Sequence, residues 1–507
     1  MSRCDSNLNG NGLLKMKLLL LSLLLALRSQ TSESFSVLGI FVHPAISHFK
    51  TFQPLLRELA ARGQEVFVVS HFPDRNAPVN YHDFTLDTSE IMTSAFSVDE
   101  WGNDACEKLL ASEHIDVILN REEKFDVLIT EFFNTDCALG LAYKLNISSI
   151  IGMSSCALMP WYYDRVGLPD FPSYIPSEFV GFSSDMNFWE RFTNWMVVKL
   201  TKIGYRLSQS KDTQQLRKRF GNDVPELRDL ADNTTGPRPL QPNVVEIGGI
   251  HIEKEQKALP HDLKELLDNA KHGVIYVSWG SIINSRGMSL EKKQEIVEAF
   301  KLFPQIVFLW KWENDTVTAT AKNVHIRSWM PQTDVLCHPN VKAFWSHGGL
   351  LGTSEAVYCQ APIIVTPIYG DQFLNGKALE HRGMGITLHF NQLTKESISD
   401  AIQRILNPSY KHKAIEISHS YKNRLSNPLE TAVFWVEYVA ENGGNLLQSY
   451  AAVKGLNSVN YVSLDVIMVL LCSIAVTIVL IIKAIRSLIK GKKALLLAEN
   501  ATGKKSN

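Results

Sequence analysis

Short unbroken apolar runs alternate along this chain with stretches of helical periodicity. Residues 37–42, 65–70, 125–130 and 149–152 are runs of four to six residues with little alternation of apolar and polar positions. A strand with one wet face would alternate, so these read as strands buried on both faces, as in a parallel sheet covered by helices. Helical spacing falls between them, over 51–62 and 139–145, with a loop through Ser47 after the first strand. A polar, proline-bearing segment, 232–243, interrupts the rhythm. It restarts with runs at 273–278, 305–310, 323–327, 341–345 and 362–366, and with helical stretches of which 289–300 is the clearest. The pattern predicts an α/β fold of two doubly wound, Rossmann-like domains, 35–240 and 241–460, with strand ends facing a common cleft.

Two stretches of the first half break the pattern. Residues 161–182, rich in Pro, Gly and aromatics, read as an irregular excursion. Residues 186–205 carry Trp189, Phe192, Trp195, Met196 and Ile203 at helical spacing. That spacing predicts a helix packed by its apolar face on its own domain, with a lipophilic pocket or a membrane contact as the alternatives.

The two ends carry targeting signals. Lys15 and Lys17 precede an apolar run over 18–27 and a small polar stretch, the order of a secretory signal peptide, assigned to 1–34. Residues 461–482 form an apolar stretch of about 33 Å as a helix, enough to cross a bilayer. The basic tail after it, 483–507, faces Glu499 as its lone acid and is placed in the cytoplasm, so the body is lumenal or extracellular. Lys504 and Lys505 stand fourth and third from the end and resemble a dilysine retrieval signal, which implies the endoplasmic reticulum membrane. Asn146, Asn233 and Asn314 open sequons in the body.

Charge then removes one class of partner. With 51 basic against 52 acidic residues, net −1, no global field draws a polyanion, and nucleic acid is not expected as a partner. Seven cysteines without a Cys-x-x-Cys pair argue against a disulfide scaffold and a structural zinc site. The five in the body are read mainly as buried thiols.

The densest chemistry lies between Ser328 and Asn375. The strand 341–345 empties into Ser346-His347-Gly348-Gly349, and 352–360 forms a helix behind it. Backbone N–H groups and the helix dipole then face an anion, and the glycines let it come close. No G-x-G-x-x-G occurs in the body; at Gly383-Met-Gly385 the third glycine is Leu388, which counts against a nicotinamide enzyme.

Trp329-Met-Pro-Gln332, His338, Phe344-Trp-Ser-His347-Gly-Gly349, Glu355, Pro362, Pro367 and Asp371-Gln372 resemble, in identity and spacing, the nucleotide-sugar signature of the UDP-glycosyltransferases. The likeness extends through 243–250, 277–281 and the Ser47-His48 segment to both termini, and Gly349-Leu-Leu-Gly352 and 371–375 look like the insect members of the membrane-bound animal group. The resemblance implies a GT-B fold with a C-terminal transmembrane helix. It also implies inverting transfer of a sugar, glucose by the insect-like cassette, from a UDP-sugar to a small lipophilic acceptor. It implies that Trp329 stacks on uracil, with Gln332 beside base and ribose and Glu355 accepting from the ribose hydroxyls. Ser281, His347, Gly349, Gly352 and Thr353 would hold the diphosphate, and Asp371 and Gln372 the sugar hydroxyls. The chain departs from many relatives at Leu351, where asparagine is usual.

Transfer needs an acceptor hydroxyl made nucleophilic, and histidine suits because its reference pKa of about 6.5 lies near neutrality. His48, after the first strand, matches the family's base; His43 is its competitor. The carboxylate orienting it is Glu131 or, five residues on, Asp136. No Asp-x-Asp occurs, so neither metal nor cofactor is expected, the UDP-sugar being the donor substrate. Two other classes stay open, an inactive UDP-sugar-binding regulator and a type I receptor. The sequence is compatible with a monomer and with a homo-oligomer.

Overall fold

A computed structural model describes residues 34–86, 98–166, 170–234, 244–252, 258–280, 288–312, 321–442 and 464–502. The signal segment, Asn314, Ser281 and the terminal lysines lie outside them. The chain forms two compact units, 1–448 and 449–507.

The first unit contains two parallel sheets. In the first, β1 (Ser36–Phe41), β2 (Glu65–Ser70), β3 (Tyr81–Thr85), β4 (Val127–Glu131) and β5 (Ser149–Met153) lie in the order β3-β2-β1-β4-β5. In the second, β6 (Val274–Ser278), β7 (Val307–Lys311), β8 (Val324–Arg327), β9 (Val341–Ser346), β10 (Ile363–Val365) and β11 (Gly385–Thr387) lie in the order β11-β10-β9-β6-β7-β8. Every side chain of β1, β4 and β6 is buried, as unbroken apolar runs require. No apolar run marks β3, whose Tyr-His-Asp-Phe-Thr is polar because it is an edge strand, or the three-residue β11.

Seven helices bear on the site, the core beneath it or the membrane: α1 (Ile46–Ala61), α2 (Cys137–Leu145), α3 (Phe188–Phe220), α4 (Leu350–Tyr358), α5 (Gln372–His381), α6 (Pro428–Asn442) and α7 (Leu464–Thr502). On α1, Phe49, Phe52, Leu55, Leu56 and Leu59 recur at three- and four-residue steps and are buried on the first sheet. The helix starts at Ile46, so Ser47 and His48 occupy its first turn rather than the expected loop. Helix α6 crosses back from the second half: Ala432, Val433 and Val436 pack into the core of β1 and α1, and Glu430 pairs with Arg62 at 2.8 Å. Residues 428–442 thus pack on the first sheet, although they fall within 241–460.

Two further sequence expectations are overturned. The body cysteines are not mainly thiols: Cys106 pairs with Cys137 and Cys337 with Cys359, leaving Cys156 free. Partners 31 and 22 residues apart are brought together by helix packing on the sheets, which no short motif announces. The aromatic face of 186–205 also does not pack on its domain, for Trp189, Phe192 and Trp195 are exposed.

In the second unit, α7 contains a stretch, Leu471–Lys490, that is long and apolar enough to cross a membrane and has no buried residue.

Candidate active site

In each sheet the strand order reverses once, between β1 and β4 and between β6 and β9. Chains leaving such neighbours diverge, which opens a crevice at their carboxyl ends where open α/β sheets bind ligands. Several of the predicted residues lie at these two crevices.

At the first, His48 Nδ1 lies 2.7 Å from Glu131 Oε1, the last residue of β4. Ser155, just beyond β5, places its hydroxyl 2.8 Å from the same Nδ1 and donates to Glu131 Oε1 at 2.7 Å. A carboxylate at Nδ1 selects the tautomer that carries its proton there, leaving Nε2 as the basic nitrogen. The ring is held by stacking on His43, centroids 4.1 Å apart, and edge-on by Phe133 at 4.7 Å. His43 is unsuited to act as a base: it is buried, it accepts from the Ala45 N–H through Nδ1, and burial, with His48 and His71 nearby, pushes its pKa well down. Asp136 lies in a different cluster, accepting from Tyr205 Oη at 2.9 Å and Gln209 Nε2 at 2.6 Å. Of the two candidate carboxylates, Glu131 is the one against His48.

At the second crevice β9 ends in Ser346, the turn follows, and Gly349 is the residue before α4. Gly348 has φ +87°, and a Cβ there would meet Val365 Cγ1 at 2.5 Å, so the turn requires glycine on two counts. The His347 ring fits between Gly280, after β6, and Gly349: a Cβ on either would come within 2.8 and 2.5 Å of it. Burial, and secondarily Lys311, bring the His347 pKa down to about 4, so at neutral pH it is an uncharged imidazole, able to donate one hydrogen bond. Gly352 and Thr353 lie on the first turns of α4, and Thr353 is buried with its hydroxyl unpartnered among the described residues. An anion at this N-terminus meets main-chain N–H groups and the positive end of the helix.

Further along α4, Glu355 accepts from Gln332 Nε2 at 2.5 Å, and burial raises its pKa. Trp329 is 66% exposed, an aromatic face free to take a base. Asp371, immediately before α5, accepts from Asn375 Nδ2 at 2.8 Å, and Asn375 also ties to Gly348 O at 2.9 Å. Burial raises the pKa of the Asp371 carboxyl, and the hydrogen bond from Asn375 offsets part of this. Gln372 accepts from the N–H groups of Ile368 and Tyr369 through Oε1, and its side chain also hydrogen-bonds the Tyr369 hydroxyl. Ser281 lies outside the described residues.

Sequence reasoning missed Ser155, Asn375 and His251. The last is a buried histidine with Nε2 3.8 Å from Glu355 Oε1, which burial holds neutral with a pKa of about 4. Nothing local marks Ser155; the β5 end it follows and Glu131 were each legible, but the pairing of the two across 24 residues was not.

Comparison with known proteins agrees with this geometry. The sequence profile of the UDP-glucoronosyl and UDP-glucosyl transferase family matches residues 70–494. UDP-glycosyltransferase UGT5 of Dactylopius coccus is 36% identical over 89% of this chain and 91% of its own length. UDP-glucosyltransferase 2 of the same organism is 33% identical over 90% and 94%, and mouse UDP-glucuronosyltransferase 1A6 is 33% identical over 71% and 69%. Among solved structures, a UDP-glucose: anthocyanidin 3-O-glucosyltransferase in complex with UDP superposes with a TM-score of 0.55 at 16% identity, covering 80% of this chain and 98% of that one. That likeness identifies the two-domain arrangement as the GT-B fold. A glycine turn at one switch point, a histidine–carboxylate pair at the other and a family profile spanning most of the chain lead to one assignment: the chain belongs to the UDP-glucoronosyl and UDP-glucosyl transferase family and is an animal UDP-glycosyltransferase, an enzyme that moves a sugar from a UDP-sugar to an acceptor.

Proposed function

We propose that this enzyme transfers glucose, with inversion, from UDP-glucose to a hydroxyl of a small lipophilic acceptor, and that His48 is the general base. The observation that carries the reading is the contact of His48 Nδ1 with the buried Glu131 carboxylate, which leaves Nε2, on the far side of the ring from that carboxylate, as the basic nitrogen. Nε2 removes the acceptor proton as the oxygen attacks the anomeric carbon from the face opposite the diphosphate. Glu131 stabilises the imidazolium that forms, and Ser155 braces both. The departing UDP gains negative charge, and the N-terminus of α4, His347 and Ser281 answer it, a role that requires neither metal nor cofactor. Trp329, Gln332 and Glu355 hold the nucleoside; Asp371 and Gln372 hold the sugar.

Glucose as the donor sugar is supported by the insect-like cassette and by the relative named a glucosyltransferase. The candidate span in α7 and the basic tail support a membrane-anchored enzyme with its body in the lumen of the endoplasmic reticulum, and the two disulfides suit an oxidising compartment. The test is a set of microsomes carrying the chain, supplied with several UDP-sugars against a panel of phenols and alcohols. UDP-glucose should give the highest turnover; UDP release only with another sugar would overturn the donor assignment, and no UDP release with any acceptor would overturn the enzymatic reading.

A further inference from the structure

Helix α3 is built inside out. At 100° per residue, Phe188, Trp189, Phe192, Trp195, Ile203 and Leu207 fall within an arc of about 120°, and all six are exposed. The opposite arc is polar and buried. Asn194 accepts from the Ser177 N–H and donates to the carbonyls of Pro172 and Ile175. Tyr205 and Gln209 donate to Asp136, and Asp212 accepts from Asn103 and Thr135. A surface helix of a water-soluble body normally shows the reverse arrangement.

The helix is nevertheless firmly set. Asn187 and Glu190 close a capping box at its start. The buried polar groups on its inner face are hydrogen-bonded into the domain, so rotation to bury the aromatics would strand them without partners. The outer face therefore belongs to the native fold. Phe188, Trp189, Phe192 and Trp195 are between 47% and 71% exposed. At roughly 150–250 Å² per aromatic side chain, these four rings alone leave about 400 Å² of apolar surface in water. Ile203 and Leu207 enlarge it beyond what an unpartnered monomer surface ordinarily carries.

We propose that this face of α3 lies in the interfacial layer of a lipid bilayer, as a second, monotopic contact beside the anchor in α7. Three features select lipid. Tryptophans on an exposed apolar face match the headgroup–acyl boundary, where an amphipathic ring is best accommodated. The charged residues within or bordering the arc, Arg191, Lys199, Lys202, Arg206 and Lys211, are all basic; Lys199 and Lys202 pair with Asp170, and Arg191, Arg206 and Lys211 remain to meet anionic headgroups. The chain also carries a candidate span of its own, Leu471–Lys490. Residues 443–463, which link it to the body, reach at most about 75 Å, so a surface that binds lipid weakly in solution meets it at high effective concentration.

The test uses the full chain with a site-specific protease sequence placed within 443–463. The protein is reconstituted, body outward, into vesicles of phosphatidylcholine with phosphatidylserine, the linker is cut, and the vesicles are floated. The severed wild-type body should float with the lipid, and Phe188→Ser, Trp189→Ser, Phe192→Ser and Trp195→Ser together should reduce the bound fraction at least tenfold while leaving UDP binding unchanged. Release of the wild-type body as fully as the variant would overturn the proposal. Release as a dimer that the four substitutions dissociate would also overturn it, and would assign the face to a second copy. If the quadruple variant fails to bind UDP, vesicles of bromine-labelled phosphatidylcholine decide. They should quench the severed wild-type body, with less quenching in Trp189→Phe and Trp195→Phe, whereas absence of quenching refutes the contact.

Discussion

Replacing Glu131 with glutamine keeps the size of the side chain and one acceptor oxygen for His48 Nδ1 but removes the charge. In the transition state the imidazole becomes an imidazolium, and the 2.7 Å contact to Oε1 becomes an ion pair. With both groups largely buried, an effective dielectric constant of about 20 and charge centres about 4 Å apart, the attraction is about 4 kcal/mol. Ser155 remains within hydrogen-bond distance of Nδ1 and can take over part of the orienting role, so the net loss should be about 3–4 kcal/mol. That is roughly a 10²- to 10³-fold fall in kcat. UDP-sugar KM should stay within about threefold, because the lost interaction exists only once the proton has moved. The assay is initial-rate UDP release along a series of acceptors from a simple alcohol to an acidic phenol. The fall should be largest for the alcohol and shrink for the phenol, which needs less help from a base. Asp136→Asn is the control; its partners are Tyr205 and Gln209, so it should lower Tm while leaving kcat nearly unchanged. A fall of less than threefold for Glu131→Gln with the alcohol, or a loss independent of acceptor acidity, would refute the reasoning.

Trp329→Ala should weaken UDP binding by about 5- to 150-fold in titration calorimetry, the equivalent of roughly 1–3 kcal/mol of stacking, with Tm unchanged because the ring is exposed. Glu178 is buried in the excursion, with Oε2 unpartnered among the described residues, and burial lifts its pKa to about 8. An acid whose folded pKa is raised binds its proton more tightly folded than unfolded, so stability falls as pH rises from about 4.5 to about 8. Glu178→Gln removes that term, so its Tm should gain on the wild type steadily across the window and level off above it; a constant difference would contradict this. Cys337→Ser should cost roughly 3 kcal/mol, the loop-closure value for a 22-residue separation, read as a lower denaturation midpoint. Alkylation of the unreduced, unfolded chain should label Cys156 and leave Cys106, Cys137, Cys337 and Cys359 unlabelled.

The fold was legible wherever strands are buried on both faces, because β1, β4 and β6 leave apolar runs whatever packs on them. Edge position hid β3 and brevity hid β11. The donor turn was legible because its chemistry is contiguous: strand end, His347, glycines and helix start lie within a dozen residues and need no tertiary information. The pair at the other crevice was only half legible, since His48 and Glu131 stand 83 residues apart and meet because β1 and β4 are neighbours. The α1 start was misplaced because Ala45 supplies no side-chain cap and so leaves no sequence signal. The aromatic periodicity of α3 correctly announced a helix and misled about its face. Period alone states that one side is apolar; only the buried network of Asn194, Tyr205 and Asp212 reveals that the other side faces the protein.

The central claim, that His48 activates an acceptor for inverting transfer, meets its most direct test in the product formed from UDP-glucose and a poorly acidic alcohol, whose yield and anomeric configuration are followed by NMR for the wild type and for His48→Ala at saturating UDP-glucose. The wild type should form a β-glucoside from the α-linked donor. His48→Ala should form that product at least 10²-fold more slowly, with UDP affinity unaltered. An α-glucoside, or near-normal turnover of the alcohol without His48, would contradict the claim.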